Sequence, residues 1–492
     1  MSSSILLNSY KWVMFARLIG RFAGIISTLI LVRILSPEDY GIAAQALFVL
    51  MLFDALSNTG TEQYVIKQSN LTSDCLFTSW TLNIVLKALT AFLIFVFSPQ
   101  IASFFNEERL TEVLQVVSMV AIFGSLKSPA IIVLKRDMRF EKISIIEITS
   151  KLLTVVLTIS LGLWLKSYWA LIWANVFSSV LTVLISYKVA PKKIRFTLIN
   201  LKDQLIFAKG VFLTSLIGYI RAKLDILIIS KKFGAASVGS YSLGQEFALL
   251  PYTEGIAPLT QPLYSSLAKV KDNSYLLKQQ LFKYMSVSYS LVIPSAVGIF
   301  LLADKIVLLL FGQQWIEAAP IMAYLSILML TFVTNGAYKI IFTLKSKFLG
   351  IALLDLMGII LITSAFFIEP IASGSDFSIF RSLVGIVILV ISICLAKIFL
   401  RYEVKLAILA MIIPVISSLL MAIFIFLFLP IVEDVTDLNW LLLLLVIIPS
   451  IVIYLLFWSL SIVLLKKKHY IWQFNYDLIL QFKNKLFKPL SQ

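Results

Sequence analysis

Ionisable side chains sit inside long apolar runs of this sequence, and they are the residues best placed to do chemistry. Arg17 and Arg21 lie four apart on the first run, so on a helix they share one face. A later run carries Lys209, Arg221, Lys223 and Asp225. Arg221 and Asp225 are again four apart and can pair along a helix, while Lys223 points nearly opposite. Lys87 stands one turn after Asn83, and Lys339 stands late in its run. A charge at bilayer depth costs at least about 2.5–3.5 kcal/mol, which makes each a candidate for function. Such cations suit anions: Arg offers phosphate a bidentate fork, and Lys a point charge. Each also has a structural reading. Arg17 and Lys209 lie near enough to the ends of their runs to snorkel to the interface. Arg221 can serve only to neutralise Asp225.

The acids form a second set. Asp54, Asn58 and Glu62 recur every four residues and predict one polar stripe along a single helix. Glu246 and Glu254, eight apart, predict a similar stripe, and Asp355 stands alone. A buried carboxylate has its pKa raised and can carry a proton, or when ionised can hold Na⁺. Ion coupling to H⁺ or Na⁺ through Asp54, Glu62, Asp225, Glu246 or Glu254 is one reading. The plainer reading is that each balances a nearby cation.

What is absent narrows the chemistry. His469 is the single histidine and lies outside every apolar run, so histidine-based zinc sites, Ser-His-Asp triads and histidine proton relays are not expected. Cys75 and Cys394 are far apart and predict no disulfide framework. No P-loop or dinucleotide fingerprint occurs. Neither catalytic residues, nor a metal site, nor a bound cofactor is expected, and the chain is not read as an enzyme.

The elements that position these charges follow from composition. The 492 residues are 60% hydrophobic and 14% charged, against about 25% charged in soluble domains. The net charge of +16 sits in short clusters between apolar runs, which argues against a nucleic-acid binder. Crossing the hydrocarbon takes about 20 mostly apolar residues. On that measure the chain predicts an all-α polytopic membrane protein with about fourteen spans between residues 12 and 465. The fourth covers 112–134 and the eighth 238–265. The opening residues lack the pattern of a cleaved leader, so the first run is read as a span. Basic loops at 134–142, 187–204, 268–283 and 344–347 alternate with acidic ones at 36–40, 105–109 and 430–437. The positive-inside rule then puts both termini in the cytoplasm. The basic tail 466–492 reads either as an amphipathic helix on the membrane surface or as a solvated terminus. Pro251, Pro258 and Pro262 with Gly255 predict a bent eighth span, as a hinge or as a static kink.

An internal repeat organises the spans. At one constant offset, LILVRILSPEDYG (29–41) matches LIISKKFGAASVG (227–239): Leu29 meets Leu227, Arg33 meets Lys231, Gly41 meets Gly239, and further along Gln63 meets Gln261. FNEERLTEVL (105–114) and FGQQWIEAAP (311–320) give a weaker echo. Parallel repeats of this kind build transporters with the substrate site between the repeats. The predicted parts are two pseudo-symmetric six-helix lobes, 1–190 and 205–400, a linker 191–204, two extra helices in 401–465, and the tail.

RILSPEDYG (33–41), VLKRDMRFEKIS (133–144), RAKLDILIISKKFGAASVGSYSLGQE (221–246) and FGQQW (311–315) together resemble the polysaccharide transporters of the multidrug/oligosaccharidyl-lipid/polysaccharide flippase superfamily, in particular the O-antigen and colanic-acid type flippases. The resemblance covers about residues 5–465. It implies two helical bundles in a V around a central cavity. It also implies transfer of an undecaprenyl-diphosphate-linked oligosaccharide from the inner to the outer leaflet of the bacterial cytoplasmic membrane, beside other polysaccharide assembly proteins. Rival readings are a drug/cation antiporter of the same superfamily, a peptidoglycan-precursor flippase, and a membrane glycan polymerase or ligase. An antiporter cavity should favour acids and aromatics, and a polymerase needs a larger outer loop than the roughly 15 residues seen here.

Overall fold

A computed structural model describes residues 3–486 except 59, 69, 70, 200, 369, 370 and 437, without the side chains of 3–10, 207, 209–217, 439 and 482–486. The chain is helical throughout its described elements and forms two compact units, Met1–Gly239 and Ser240–Gln492.

The first unit holds α1 (Ser3–Leu31), α2 (Pro37–Ser57), α3 (Thr61–Lys67), α4 (Ser73–Phe105), α5 (Leu110–Ser125), α6 (Ala130–Arg136), α7 (Phe140–Leu165), α8 (Trp169–Val189) and most of α9 (Leu201–Ala248). α1 packs on α7, α4 on α5, and α7 on α8. The second unit continues with α10 (Thr260–Lys269), α11 (Ser274–Leu310), α12 (Ala318–Ser326), α13 (Leu328–Leu344), α14 (Phe348–Thr363), α15 (Gly374–Leu400), α16 (Val404–Val435), α17 (Asn439–Leu465) and α18 (Tyr470–Leu486). There α11 packs on α12 and α16, and α16 on α17.

Among the described residues eleven helices are long and apolar enough to cross a membrane. Their outer faces carry large apolar side chains, including Phe22, Trp164, Phe426 and Leu464, each more than half exposed. In water these would drive aggregation; in lipid they meet their own kind. The expected fourth span is not one straight helix. α5 and α6 meet at a 60° bend, because Pro129 biases the residues before it away from the helical region. Counting that pair as one span gives twelve. The other two of the fourteen expected spans, 205–230 and 238–265, are not among these helices; the second gives way to a π turn at Pro251.

Loop contacts group the helix ends. In the first unit Arg109 pairs with Glu38 and Glu107, and the Tyr168 N–H donates to Asp39 at 3.0 Å. The loops at 36–40, 105–109 and 166–168 therefore share one end. At the opposite end Arg195 pairs with Asp74 at 3.0 Å, and Arg136 donates to the Gln68 carbonyl at 3.0 Å. This is the alternation that the loop charges predict.

The SPEDY turn owes its shape to local chemistry. Ser36 caps α2 by accepting from the Asp39 N–H, Asp39 answers by accepting from the Ser36 N–H, and Pro37 fills the first helical turn. The repeat partner of Ser36 at the same offset is Gly234, where α9 breaks with a φ of 77°. The two turns thus occupy matching places. They also touch. A Cβ placed on Gly41 would lie 1.7 Å from the Ala235 carbonyl oxygen, and one on Gly239 would lie 1.9 Å from that of Pro37. Ala235 is the repeat partner of Pro37 at the same offset, so the two contacts are reciprocal.

The proline-rich stretch departs from the α-helical form. The chain winds as a π turn over Pro251–Ile256, then a 3₁₀ turn over Ala257–Leu259, before α10 begins. Each proline removes a donor from the helical ladder, and the wider and tighter turns re-seat the remaining bonds.

Candidate functional site: a charged cavity and its ion pairs

A polar cavity of the first unit holds about 310 Å³. Helices α3 to α8 supply its walls. Trp80 and Asn83 come from α4, Lys127 from the α5–α6 bend, Lys135 from α6, Glu62 from α3 and Glu147 from α7. Ser79, Ser125 and Thr182 add hydroxyls. The bend is what makes the space: it swings α6 away from the line of α5 and leaves the Lys127 side chain facing inward. The Trp80 indole N–H holds the bend by donating to the Lys127 carbonyl at 2.9 Å. The Ser128 hydroxyl donates to the Ala190 carbonyl at 2.6 Å and secures it from the other side.

The charges are arranged in pairs. Lys135 meets Glu62 at 2.7 Å. Lys87 meets Asp54 across α4 and α2. The charges that act on Lys127 are Lys135, Glu147, Asp54 and Glu62. Two cations and two anions therefore line the cavity, which is balanced rather than cationic. A mixed set of ammonium, carboxylate, amide and hydroxyl groups around an indole can hydrogen-bond a polar, hydroxyl-rich solute. It can equally pass charge between partners.

The expected sites fare as follows. Lys87 and Lys339 are not solitary cations: Lys87 is held by Asp54, and Lys339 by Asp355 at 2.5 Å between α13 and α14. The expected stripe of Asp54, Asn58 and Glu62 is broken. α2 ends at Ser57, Asn58 is extended, and Gly60 turns left-handed with φ 65° before α3 starts. The carboxylates of Asp54 and Glu62 consequently sit on different helices. Glu246 and Glu254 do not form one stripe either, because Glu246 lies in α9 and Glu254 in the π turn. Arg17 is exposed and Arg21 half-buried on α1; on α9 Arg221 is exposed, Lys223 half-buried and Asp225 buried. The side chain of Lys209 lies outside the described residues.

The sequence reading missed Lys127, Lys135, Glu147 and Lys151. The pair Glu147 and Lys151 carried a signal, four apart inside the fifth apolar run. Lys151 lies along α1, with its Nζ 3.8 Å from where a Cβ on Gly24 would stand. Lys135 looked like a loop residue because the bend at 126–129 was not foreseen.

Comparison with known proteins fixes the class of protein to which this fold and its paired charges belong. The family described as "Polysaccharide biosynthesis protein" matches residues 30–320, and the chain belongs to it. Among individual relatives, the lipopolysaccharide biosynthesis protein WzxC of Escherichia coli is 24% identical over 65% of this chain and 66% of its own length. The succinoglycan biosynthesis transport protein ExoT of Rhizobium meliloti is 24% identical over 61% of each chain. An uncharacterised membrane protein in the cps region of Klebsiella pneumoniae is 26% identical over 65% of this chain and 67% of its own. The alignments thus span about three-fifths to two-thirds of these relatives. The lipid II flippase MurJ in an inward closed conformation shares the fold, with a TM-score of 0.72 at 18% identity over 92% of this chain and 98% of that one. A multidrug transporter in an inward-facing conformation follows at 0.58 and 12% identity, over 78% and 94%.

Proposed function

We propose that the protein is a flippase that moves an undecaprenyl-diphosphate-linked oligosaccharide across the cytoplasmic membrane, with both termini in the cytoplasm, for the assembly of surface polysaccharide. The observation that carries this reading is membership of the polysaccharide biosynthesis family by a multi-pass chain whose apolar helices hold paired charges. The relatives named for lipopolysaccharide biosynthesis and succinoglycan transport, and the lipid II flippase fold, support it.

In this mechanism Arg21, Arg221 and Lys223 hold the diphosphate and acidic sugars, with Arg17 and Lys209 nearer the ends of their spans. Lys87 and Lys339 hold their carboxylate partners at rest and exchange them for substrate oxygens. The exchange keeps each ammonium paired, so no bare charge is left in the bilayer. Coupling to H⁺ or Na⁺ runs through a carboxylate released in that exchange, Asp54 first among Asp54, Glu62, Asp225, Glu246 and Glu254.

The test is genetic and biochemical. Deleting the gene should remove surface polysaccharide and leave lipid-linked repeat units on the cytoplasmic side. The wild-type chain should restore it, and Arg21→Gln or Arg221→Gln, at normal protein level, should not. Normal polysaccharide in the deletion strain, with altered drug sensitivity, would replace this reading by the antiporter.

A further inference from the structure

We propose that the second unit carries a binding site for the headgroup of an anionic phospholipid, where α16 starts, α17 ends and α18 folds back onto the bundle.

Three lysines, Lys466, Lys467 and Lys468, follow directly on the apolar α17. That places them at headgroup depth, where anionic lipid attracts basic residues. Lys405 stands exposed in the first turn of α16, and His469 lies within electrostatic reach of both Lys405 and Glu403. α16 has no side-chain cap, so its first N–H groups and the positive end of its dipole face the same region. Glu403 is held by Lys278 at 2.8 Å and is occupied. Asp477 is exposed on α18, while Glu433 and Asp434 lie at the far end of α16. The balance around the turn is strongly positive.

The site is built rather than loose. Ile471 and Trp472 of α18 are buried against the bundle. The Trp472 indole N–H donates to the Leu409 carbonyl at 3.2 Å, and the Asn475 amide donates to the Ser286 hydroxyl at 2.8 Å. The Lys466 ammonium sits over the Tyr476 ring at 3.6 Å, which fixes its position. Lys467 and Lys468 remain exposed.

The flank decides what the anion is. On α17, just beside the lysines, Leu464 is 69% exposed and Leu460 54%. A ligand with a phosphate at the lysines and acyl chains along these leucines satisfies both surfaces. A soluble anion would leave the apolar flank uncovered.

The experiment uses the full chain in a neutral detergent, titrated with phosphatidylglycerol, phosphatidylcholine or inorganic phosphate, and counts bound lipid by native mass spectrometry. Two variants are compared, Lys467→Gln/Lys468→Gln at the site and Lys192→Gln/Lys193→Gln on an equally basic loop of the first unit. Phosphatidylglycerol should bind the wild type and the loop variant alike, and the site variant on the order of tenfold more weakly, with a loss at high salt. Phosphatidylcholine should bind the wild type no better than it binds the site variant. Equal loss in both variants means diffuse charge and overturns the site. So does phosphatidylcholine binding as well as phosphatidylglycerol, or displacement of phosphatidylglycerol by inorganic phosphate. Both altered lysines are exposed, and an unchanged size-exclusion profile secures the fold of the variant.

Discussion

At the scale of single residues, the charges in the apolar runs are partners before they are anything else. Lys339 and Asp355 are each about a quarter exposed and lie on neighbouring helices. Removing one leaves the other unpaired in a poor solvent, a loss on the order of 3 kcal/mol or more. Lys339→Met and Asp355→Leu should therefore each lower the level of folded protein in the membrane. The double substitution should recover most of it, read by fluorescence-detected size exclusion. His469 yields a prediction of another kind. Burial first, then Lys405, lowers its pKa. The folded chain binds that proton more weakly than the unfolded chain does, so the stability tied to a neutral imidazole is present above about pH 6.5 and fades as pH falls below it. Thermal midpoints in detergent should drop between pH 7.5 and 5.5, and His469→Gln should flatten part of that slope. Glu403, lowered by Lys278, contributes its own loss only at more acid pH, below the ordinary carboxylate value of about 4.5. The sequence made the charges legible because an ionised side chain in an apolar run stands out. It hid their partners, since Lys87 with Asp54 and Lys135 with Glu62 are joined across helices by packing alone.

At the scale of elements, breaks were harder to read than runs. The breaks after Asn58 and before Pro129 fall in short polar stretches, SNTGTEQ (57–63) and SLKSP (125–129), and the apolar residues on either side carry a span reading across them. Their residues were still signals: an Asn near a Gly, and a Ser-Pro step. The stretch 251–262 is easier to read, because three prolines fall within twelve residues. The crossing of α2 with the region after Gly234 makes the sharpest demand. No side chain larger than hydrogen fits at Gly41, where a methyl would penetrate the Ala235 carbonyl. Gly41→Ala should separate the two backbones and cost about 1–3 kcal/mol. The expected readout is a lower thermal midpoint with surface polysaccharide reduced or lost, while Gly218→Ala, with open space around it, should leave both unchanged.

At the scale of the whole molecule, membrane class and family were legible at once, because composition, span length and loop charge all point one way. The loop contacts add a topology that can be checked directly. In a background of Cys394→Ser, with Cys75 buried, cysteines at Glu107 and Lys166 should react with an impermeant maleimide from one side of the membrane. Cysteines at Asp137 and Lys192 should react only from the other. Labelling of Glu107 and Asp137 from the same side would break the alternation on which the span order rests.

The two reciprocal contacts around Gly41 and Gly239 also bear on ancestry. If one gene segment doubled to make this chain, most copied positions were then free to drift apart, and Lys231 opposite Arg33 records such drift. Positions 41 and 239 were not free, because each glycine clears the path of the other copy's backbone. Descendants of the doubled gene should therefore keep a very small residue at both places, or change the two together, even where little else of the original kinship between the halves survives.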